Sequence, residues 1–291
     1  MATRRIPGAL GVCAALLLVL ASDLAGQQSG ATGRVYNSVK QKLAEGRQVV
    51  GGTVSIPDPE VYCAMANAGF DFTWIEMQHS PLTYQDVARM IITCKDAPAI
   101  PFIRVPDATE GDIQKATDIG ALGIIIPMVD TVEKAAAAAR FAKYPPLGRR
   151  SQGGGQYGAL WGTTYRQTAN DNIMIVAMIE NPAGVEIVDK IAAVPGIDVV
   201  FVASTDLGSF SALRQGDPAY EALVTKVVQS TAKAGLKVGG PLAWKNSRKG
   251  YAFFQGPGET ALIRCGTRVA LDMQPTGCPT GGVAPIEGRE R

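Results

Sequence analysis

The amino-acid sequence predicts a single-domain (β/α)8 TIM barrel, in which eight parallel strands close on themselves and helices cover the outside. Three features favour this fold class: the chain length, the alternation of strand-like and helix-like segments, and the composition of the strand-like segments. At 291 residues the chain suits one such barrel, which typically needs roughly 250 residues. Its strand-like segments are continuous apolar runs, as expected for parallel strands that are buried on both faces.

The predicted elements alternate in a regular order. A leading helix is predicted over 35–45. The predicted strands cover 49–55, 72–77, 100–104, 123–128, 173–179, 199–203, 237–241 and 252–255. The helices that follow them are predicted at 59–68, 83–94, 111–119, 131–143, 183–193, 218–234, 243–249 and 259–271. An open doubly wound sheet is the alternative, but no Gly-x-Gly-x-x-Gly motif follows the first strand.

Several predicted helices begin with capping signals. Asp58 and Asp217 each precede a proline, and Thr83 stands three residues before Asp86. Such side chains accept hydrogen bonds from the free N–H groups of the first turn, and proline suits the first helical position. These signals place the starts of three helices.

Two segments stand outside the strand–helix alternation of the predicted barrel, 35–274. The segment 144–172 is long for a loop in a compact domain, and such loops are usually functional or part of an interface. Its aromatic residues Tyr157, Trp161 and Tyr165 could line a ligand pocket or only pack an interface. The segment 275–291 is rich in Pro, Gly and charge, and we expect it to be disordered.

The N-terminal residues carry the pattern of a cleavable signal peptide at 1–26, followed by a polar linker at 27–34. Arg4 and Arg5 precede an apolar run at 9–21, and small residues follow it. That run is too short for a stable membrane anchor, which needs about 20 apolar residues. We therefore expect export, to a bacterial periplasm.

Four cysteines remain after that segment: Cys63, Cys94, Cys265 and Cys278. None has Cys-x-x-Cys spacing, and the chain has no second histidine to complete a zinc site. A disulfide is possible in an oxidising compartment, but a core of this size does not require one. Cys63 and Cys94 fall on predicted helices, where we expect packed thiols.

Composition and charge narrow the class of ligand. Apolar residues make up 46% of the chain and charged residues 19%, with a formal net charge of +2. Acids and bases are mixed along the chain, so nothing indicates nucleic acid or a membrane surface as a partner. The sequence therefore points to a small-molecule ligand.

Ionisable residues directly follow four predicted strands. Glu76 lies at the end of the second strand, His79, the only histidine, follows it, and Arg104 ends the third strand. Glu180 follows the fifth strand, and Asp206 comes shortly after the sixth. Because barrel enzymes carry their chemistry at the carboxyl ends of the strands, we expect these side chains in one cavity. A lone histidine, taken by itself, more often occupies a surface or half-buried position.

Glu180 and Asp206 are candidate ligands of a divalent metal ion. Neighbouring strands would bring the two carboxylates together, and Mg²⁺ is commonly bound by one or two carboxylates with water and substrate oxygens. Mg²⁺ is the expected ion. The lack of cysteine or further histidine argues against zinc, whereas Mn²⁺ or Co²⁺ could substitute.

Seven motifs occur in a fixed order along the chain. They are Trp-Ile-Glu-Met-Gln-His-Ser-Pro at 74–81, Phe-Ile-Arg-Val-Pro at 102–106, Ala-Thr-Asp-Ile-Gly-Ala at 116–121, Ile-Pro-Met-Val at 126–129, Lys-Tyr-Pro-Pro-Leu-Gly-Arg-Arg at 143–150, Met-Ile-Glu at 178–180 and Ala-Ser-Thr-Asp-Leu at 203–207. Over about residues 35–271 the set resembles the HpcH/HpaI aldolase family. These are citrate-lyase-like, class II pyruvate aldolases, which include 2,4-dihydroxyhept-2-enedioate aldolase and macrophomate synthase.

The resemblance implies roles for the rim residues. Glu180 and Asp206 would bind the metal, which would act as a Lewis acid on a 2-oxo acid. Arg104 would bind the same ketone oxygen and stabilise the enolate charge. His79 would act as the base on the aldol hydroxyl.

The resemblance also extends to three residues around that centre. Asp118 matches the family aspartate that pairs with the histidine and orients its ring. Backbone amides around Ser204 and Thr205 would receive the substrate carboxylate. Without the resemblance, the sequence predicts only a capping or surface role for Asp118 near the end of a helix.

The implied reaction is cleavage of a 4-hydroxy-2-oxo acid to pyruvate and an aldehyde, or its reverse, through a metal-stabilised enolate. Family members are commonly homo-oligomers that exchange the last helix. Two positions depart from the family pattern: Gln78 replaces a family glutamate, and Met178 replaces a glutamine. The alternatives are an oxaloacetate-type decarboxylase on the same site, or an exported binding protein for 2-oxo acids without turnover.

Overall fold

The computed structural model describes residues 35–274 and 276–278, together with Met1. Every described helix and strand lies between Ser38 and Ala270. Apart from Met1, the predicted signal peptide at 1–26 and linker at 27–34 lie outside the described residues. The segment 279–291 lies outside them too.

Eight parallel strands form a closed barrel in sequence order, which confirms the predicted fold class. Strands β1 to β8 are Val49–Val54, Phe72–Glu76, Ile100–Arg104, Gly123–Ile126, Met174–Ile179, Val199–Val202, Lys237–Pro241 and Tyr251–Gly258. The barrel closes because β1 pairs with β8 as well as with β2. Every residue of β2 to β6 is buried, which explains why these strands appear in the sequence as unbroken apolar runs.

Helices surround this barrel in the described part of the chain. Helices α1 to α12 are Ser38–Ala44, Pro59–Asn67, Tyr84–Thr93, Glu110–Asp118, Val132–Ala142, Tyr157–Trp161, Tyr165–Asn172, Pro182–Glu186, Val188–Ala192, Ser204–Ser211, Pro218–Lys233 and Glu259–Ala270. A short 3-10 turn, Leu242–Trp244, stands where a helix over 243–249 was predicted. None of the described helices is both long and apolar enough to cross a membrane.

The segment 144–172 is not the structureless loop that the sequence predicts, because it contains α6 and α7. These helices have five and eight residues, too few for an amphipathic period to be recognised in the sequence. The predicted helix at 183–193 is similarly divided into α8 and α9, with the break at Ile187, whose ψ of 16° departs from helical geometry.

The capping signals hold for two of the three helices. Asp58 accepts from the N–H groups of Glu60 and Val61, and Thr83 forms a capping box with Asp86. Asp217 makes no such bond and instead accepts from the N–H of Arg214. Local pattern therefore located each helix start, but not the partner of each side chain.

Four phenylalanines fill the barrel interior below its carboxyl end. The ring of Phe253 on β8 lies 4.4 Å from that of Phe72, 5.7 Å from Phe102 and 6.4 Å from Phe201, centroid to centroid. Glycine at position 123 is required for this packing, since a Cβ there would lie 1.8 Å from the Phe102 ring. The four rings form a solid layer, called the phenylalanine layer below, across the barrel axis.

Two disulfides correct the expectation of packed thiols. Cys63 on α2 is bonded to Cys94 at the end of α3, with the Cα atoms 5.5 Å apart. Cys265 on α12 is bonded to Cys278 across 5.5 Å. The first pair, separated by 31 residues, meets because α2 and α3 pack side by side. The second shows that residues 276–278 of the predicted disordered tail return to α12.

Candidate active site

A cavity of about 220 Å³ opens at the carboxyl ends of the strands. It is lined by residues from six strands or the turns that follow them: His79, Arg104, Met178, Phe201, Ala203, Ser204, Thr205, Asp206, Pro241 and Gln255. The structure thus brings five of the residues predicted from the sequence to one cavity. Glu180, which ion-pairs with Arg104, lies directly below its wall.

Glu76, the last residue of β2, organises the turn that carries His79. Its Oε1 atom accepts the backbone N–H of Gln78 at 2.9 Å and that of His79 at 3.1 Å. The hydroxyl of Ser80 donates to the carbonyl oxygen of Glu76. These bonds hold the backbone at the rim while the imidazole itself is exposed. The sequence predicts Glu76 on the rim, as an acid that ends a buried strand, but it does not show these contacts.

Arg104 lies between two carboxylates at the floor of the cavity. One terminal nitrogen donates to Glu76 Oε2 at 3.2 Å and the other to Glu180 Oε1 at 3.1 Å. Its side chain is 7% exposed, and its Nε is buried with no hydrogen-bond partner among the described residues. A buried donor without a partner is costly and rare. The guanidinium is therefore held rigidly but not fully satisfied beside the cavity.

Glu180 and Asp206 place two carboxylates on the same side of the cavity. Burial raises the pKa of Glu180 from 4.5 to about 6; Arg104 opposes this rise, and the negative charge of Asp206 adds to it. Glu180 also accepts the backbone N–H of Met128. Met128 has a φ of 51°, and such a conformation costs a non-glycine residue about 1–3 kcal/mol. The strained backbone at Met128 therefore lowers stability while it directs this N–H at Glu180.

This donor set fits a hard divalent cation. Burial is the main cause of the raised pKa of Glu180, and the neighbouring carboxylate of Asp206 adds to it. Among the described residues, no group of three or more His, Cys, Asp or Glu side chains is arranged to hold a metal. Two carboxylates, completed by water and substrate oxygens, are nevertheless a usual way to bind Mg²⁺. The absence of sulfur ligands makes a structural zinc site a poor fit.

The start of α10 supplies unpaired N–H groups at the cavity. Helix α10 begins at Ser204, directly after β6, and Ala203 before it provides no side-chain cap. The first N–H groups of a helix have no partner within the helix, and they attract anions. Ser204 and Thr205 both line the cavity, so their amides suit a substrate carboxylate. The sequence did not predict this helix.

Asp118 lies away from this cavity, contrary to the pairing that the resemblance implied. It is the last residue of α4, and barrel helices run antiparallel to the strands, so α4 ends at the amino end of the barrel. Its carboxylate accepts from Arg150 at 2.8 Å and from Gln114 at 2.6 Å. Within the single chain described, Asp118 therefore does not orient His79.

Arg150 organises a second buried cluster at that end. Its guanidinium lies 4.6 Å from the ring centroid of Tyr144, 5.5 Å from Tyr157 and 5.4 Å from Tyr165, and it donates to the Tyr165 hydroxyl at 2.7 Å. Cation–π contacts of this kind stabilise a desolvated guanidinium. Two of the three aromatic residues singled out in 144–172 are therefore packing residues and do not line the cavity.

Trp161 and Lys143, from the same region, are also engaged elsewhere. Trp161 donates its indole N–H to the carbonyl oxygen of Gly120 at 2.9 Å. Lys143 donates to the carbonyl oxygens of Asn170 and Ile173, and burial lowers its pKa to about 8. Both side chains tie this region to the amino end of the barrel.

Three further residues line the cavity and were not predicted from the sequence. Phe201, Pro241 and Gln255 come from β6, β7 and β8. Gln255 was detectable in principle, since it is a polar residue near the carboxyl end of an apolar strand. Gln78, noted as a departure, has a buried side-chain oxygen with no described partner.

Comparison with known proteins identifies the relatives of this barrel. A family model described as HpcH/HpaI aldolase/citrate lyase matches residues 54–244. A hydroxypyruvate/pyruvate aldolase from Rhizorhabdus wittichii is 31% identical over 244 residues, which cover 81% of this chain and 97% of that protein. A 4-hydroxy-2-oxovalerate aldolase from Rhodococcus jostii is 34% identical over 189 residues, 63% of this chain and 72% of that protein.

A crystal structure of an HpcH/HpaI aldolase/citrate lyase family protein from Burkholderia cenocepacia J2315 superimposes with a TM-score of 0.73. It is 30% identical, and the match covers 81% of this chain and 98% of that one. The barrel, its polar rim cavity and these relatives define an enzyme of the aldolase class. The chain belongs to the HpcH/HpaI aldolase/citrate lyase family, which confirms the resemblance seen in the sequence.

Proposed function

We propose that the protein is a metal-dependent carbon–carbon lyase that acts on 2-oxo acids. It cleaves a 4-hydroxy-2-oxo acid to pyruvate and an aldehyde, or catalyses the reverse addition. The observation that carries this proposal is the fixed position of Arg104 between Glu76 and Glu180, beside Asp206 and one open cavity. The names of the relatives, pyruvate and 4-hydroxy-2-oxovalerate aldolases, support the same reaction class.

The cavity offers a complementary partner to each part of a 2-oxo acid. The unpaired amides of Ser204 and Thr205 suit its carboxylate, and the guanidinium of Arg104 suits its ketone oxygen. Glu180 and Asp206 would hold a divalent ion, Mg²⁺ by preference with Mn²⁺ or Co²⁺ as substitutes, which would polarise the ketone as a Lewis acid.

His79 supplies the proton transfer. In cleavage its imidazole accepts the proton of the C4 hydroxyl as the C3–C4 bond breaks, and the bonding pair moves toward C2 to give the enolate of pyruvate. Arg104 stabilises the negative charge on the C2 oxygen, and protonation at C3 then gives pyruvate. Addition runs the same steps in reverse. General acid–base help of this kind is worth about 10²–10⁴-fold.

Deuterium exchange into the methyl group of pyruvate tests the enolate chemistry directly. With Mg²⁺, we expect the protein to exchange the methyl protons in D₂O without any aldehyde present, as followed by NMR. No exchange with Mg²⁺, Mn²⁺ or Co²⁺ would contradict the proposal. It would favour the alternative hypothesis, an exported 2-oxo acid binding protein without turnover.

The variant His79→Ala separates cleavage from decarboxylation. Aldol cleavage needs a base for the C4 hydroxyl, so we expect a loss of about 10²–10⁴-fold. Decarboxylation of oxaloacetate passes through the same enolate without that base, so it should largely persist. Equal loss of both activities would refute this role for His79. A wild-type protein that only decarboxylates oxaloacetate would favour the alternative hypothesis of a decarboxylase.

We also propose export, to a bacterial periplasm. The disulfides Cys63–Cys94 and Cys265–Cys278 support it, because disulfides persist in oxidising compartments and are rare in the cytosol. Fractionation of the producing cell, with mass determination of the mature chain, tests this. We expect a periplasmic protein that begins near residue 27, and an intact cytosolic chain would refute it.

Finally, we propose a homo-oligomer, in which α12 contributes to the contact between copies. Ile263 and Val269 of α12 and Leu271 just after it are each at least 58% exposed, an unusual density of bare apolar side chains on one short helix. Light scattering on the purified chain tests this. A monomer at micromolar concentration would contradict it.

A further inference from the structure

The wall of the cavity across from Glu180 and Asp206 is polar. In a closed eight-stranded barrel each strand faces the one four places on, so β1 faces β5 and β2 faces β6. Thr53 on β1 and His79 after β2 therefore lie opposite the two carboxylates, and Gln255 on β8 lies beside Thr53. Gln255 and His79 both line the cavity.

Gln255 is held so that its amide faces into this space. It follows Phe253 by two residues on β8, so both side chains point into the barrel, with Gln255 one level above the phenylalanine layer. Its Nε2 donates to Thr53 Oγ1 at 3.4 Å, and that hydroxyl donates to the carbonyl oxygen of Gly256 at 2.9 Å. Its side-chain oxygen has no hydrogen-bond partner among the described residues.

The same wall lies where an incoming aldehyde must sit. In a 2-oxo acid the oxygens that bind the α10 amides and Arg104 are on C1 and C2. The reactive carbon, C3, then faces the opposite wall, toward His79 and Gln255. The cavity of about 220 Å³ is open at its mouth and has room for a short aldehyde beside the keto acid.

We propose that Gln255, positioned by Thr53, selects a short aldehyde that carries a hydroxyl group on the carbon next to the carbonyl. This inference rests on the proposed function and specifies the acceptor of that same site. The amide oxygen of Gln255 accepts the hydroxyl of the aldehyde while His79 serves the carbonyl oxygen. An acceptor with a methyl group in place of the hydroxyl cannot form this hydrogen bond and loses its contribution to binding in the transition state.

Glycolaldehyde and propanal make a matched pair for the test, because they have the same number of non-hydrogen atoms and differ in a hydroxyl for a methyl. With pyruvate and Mg²⁺, kcat/KM is measured for each aldehyde, and the ratio of the two is compared between variants. We expect the wild type to prefer glycolaldehyde and Gln255→Leu to lower the ratio about ten-fold, the usual value of one hydrogen bond. Thr53→Val should lower it less, in the same direction.

Gln85→Leu is the matched control, since it makes the same change at an exposed position on α3, and its ratio should equal that of the wild type. The ratio cancels any general loss of folded enzyme. A fall of less than about three-fold in Gln255→Leu, or a wild type that prefers propanal, would overturn the inference. Methyl exchange in pyruvate, run on the same wild-type sample, shows separately whether the proposed function itself has failed.

Discussion

Two buried arginines at opposite ends of the barrel show how the same side chain can serve chemistry or packing. Arg150 has one carboxylate partner, Asp118, and is enclosed by tyrosine rings. Arg104 has two carboxylate partners, and a third carboxylate, Asp206, lines the same cavity. Charge is therefore balanced around Arg150, whereas an excess of negative charge remains around Arg104. The imbalance, together with the opening, distinguishes the reactive end from the structural end.

Replacing the reactive arginine should have the largest effect. We expect Arg104→Met to lower the rate of pyruvate methyl exchange about 10²–10³-fold, the usual loss for one donor that stabilises a developing oxyanion. The exchange rate at saturating pyruvate and Mg²⁺, measured on protein shown by circular dichroism to be folded, checks this. A rate within about ten-fold of the wild type would place the enolate charge elsewhere.

Replacing Arg150 at the amino end of the barrel should lower stability and leave the exchange rate unchanged. Arg150→Met removes the charged donor of Asp118, which keeps its bond from Gln114, and leaves the Tyr165 hydroxyl without its donor. We therefore expect the free energy of unfolding to fall by about 1–3 kcal/mol. The exchange rate per folded molecule should match the wild type. Urea unfolding gives the first quantity, and a variant with full stability but lost exchange would invalidate the comparison.

The burial of Glu180 should also appear in the pH dependence of stability. The folded-state pKa of Glu180 is raised from 4.5 to about 6, so the folded protein binds this proton more tightly than the unfolded chain does. The stabilisation is fully present below pH 4.5 and is lost as the pH rises through about 6. In metal-free buffer we expect the wild type to lose about 2 kcal/mol relative to Glu180→Gln over this window. A parallel pH dependence of the two proteins would contradict the raised pKa.

A residue near the reactive end but outside the cavity should behave as packing. Thr83 caps α3 just beyond the His79 turn, and removal of a cap typically costs about 1 kcal/mol. We expect Thr83→Ala to lower stability by that amount and to leave methyl exchange unchanged. An exchange defect in this variant would mean that the start of α3 helps to position His79.

The barrel and its rim were predictable because both follow from regular physical rules. Buried parallel strands must be apolar throughout, so β2 to β6 were visible in the sequence, and residues after strands must gather at one rim. The short helices α6, α7 and α10 were missed, because periodicity needs more residues than they contain, and α8 and α9 were predicted as one helix. The partners of Arg150 and Cys94 depend on how separate helices pack, which a single sequence does not encode locally.

The sequence predicted the charged residues of the site but not the contacts that support them. His79, Arg104 and Asp206 reach the cavity as expected, since each is tied to the end of a strand. The bonds of Glu76 to the His79 turn, and the N–H of Met128 on Glu180, depend on backbone conformation that composition does not reveal. In the described chain Asp118 pairs with Arg150, because α4 runs antiparallel to the strands, and the motif around Asp118 does not reveal that direction.

The phenylalanine layer has a consequence for the order of events in the proposed reaction. With the lower barrel filled, both reactants and both products must use the single mouth at the carboxyl end. The keto acid, whose oxygens bind at Arg104 on the floor, has to enter before the aldehyde, which covers it. Steady-state kinetics should therefore follow a compulsory order. Cleavage releases the aldehyde first, and excess pyruvate binds to the free enzyme and inhibits cleavage.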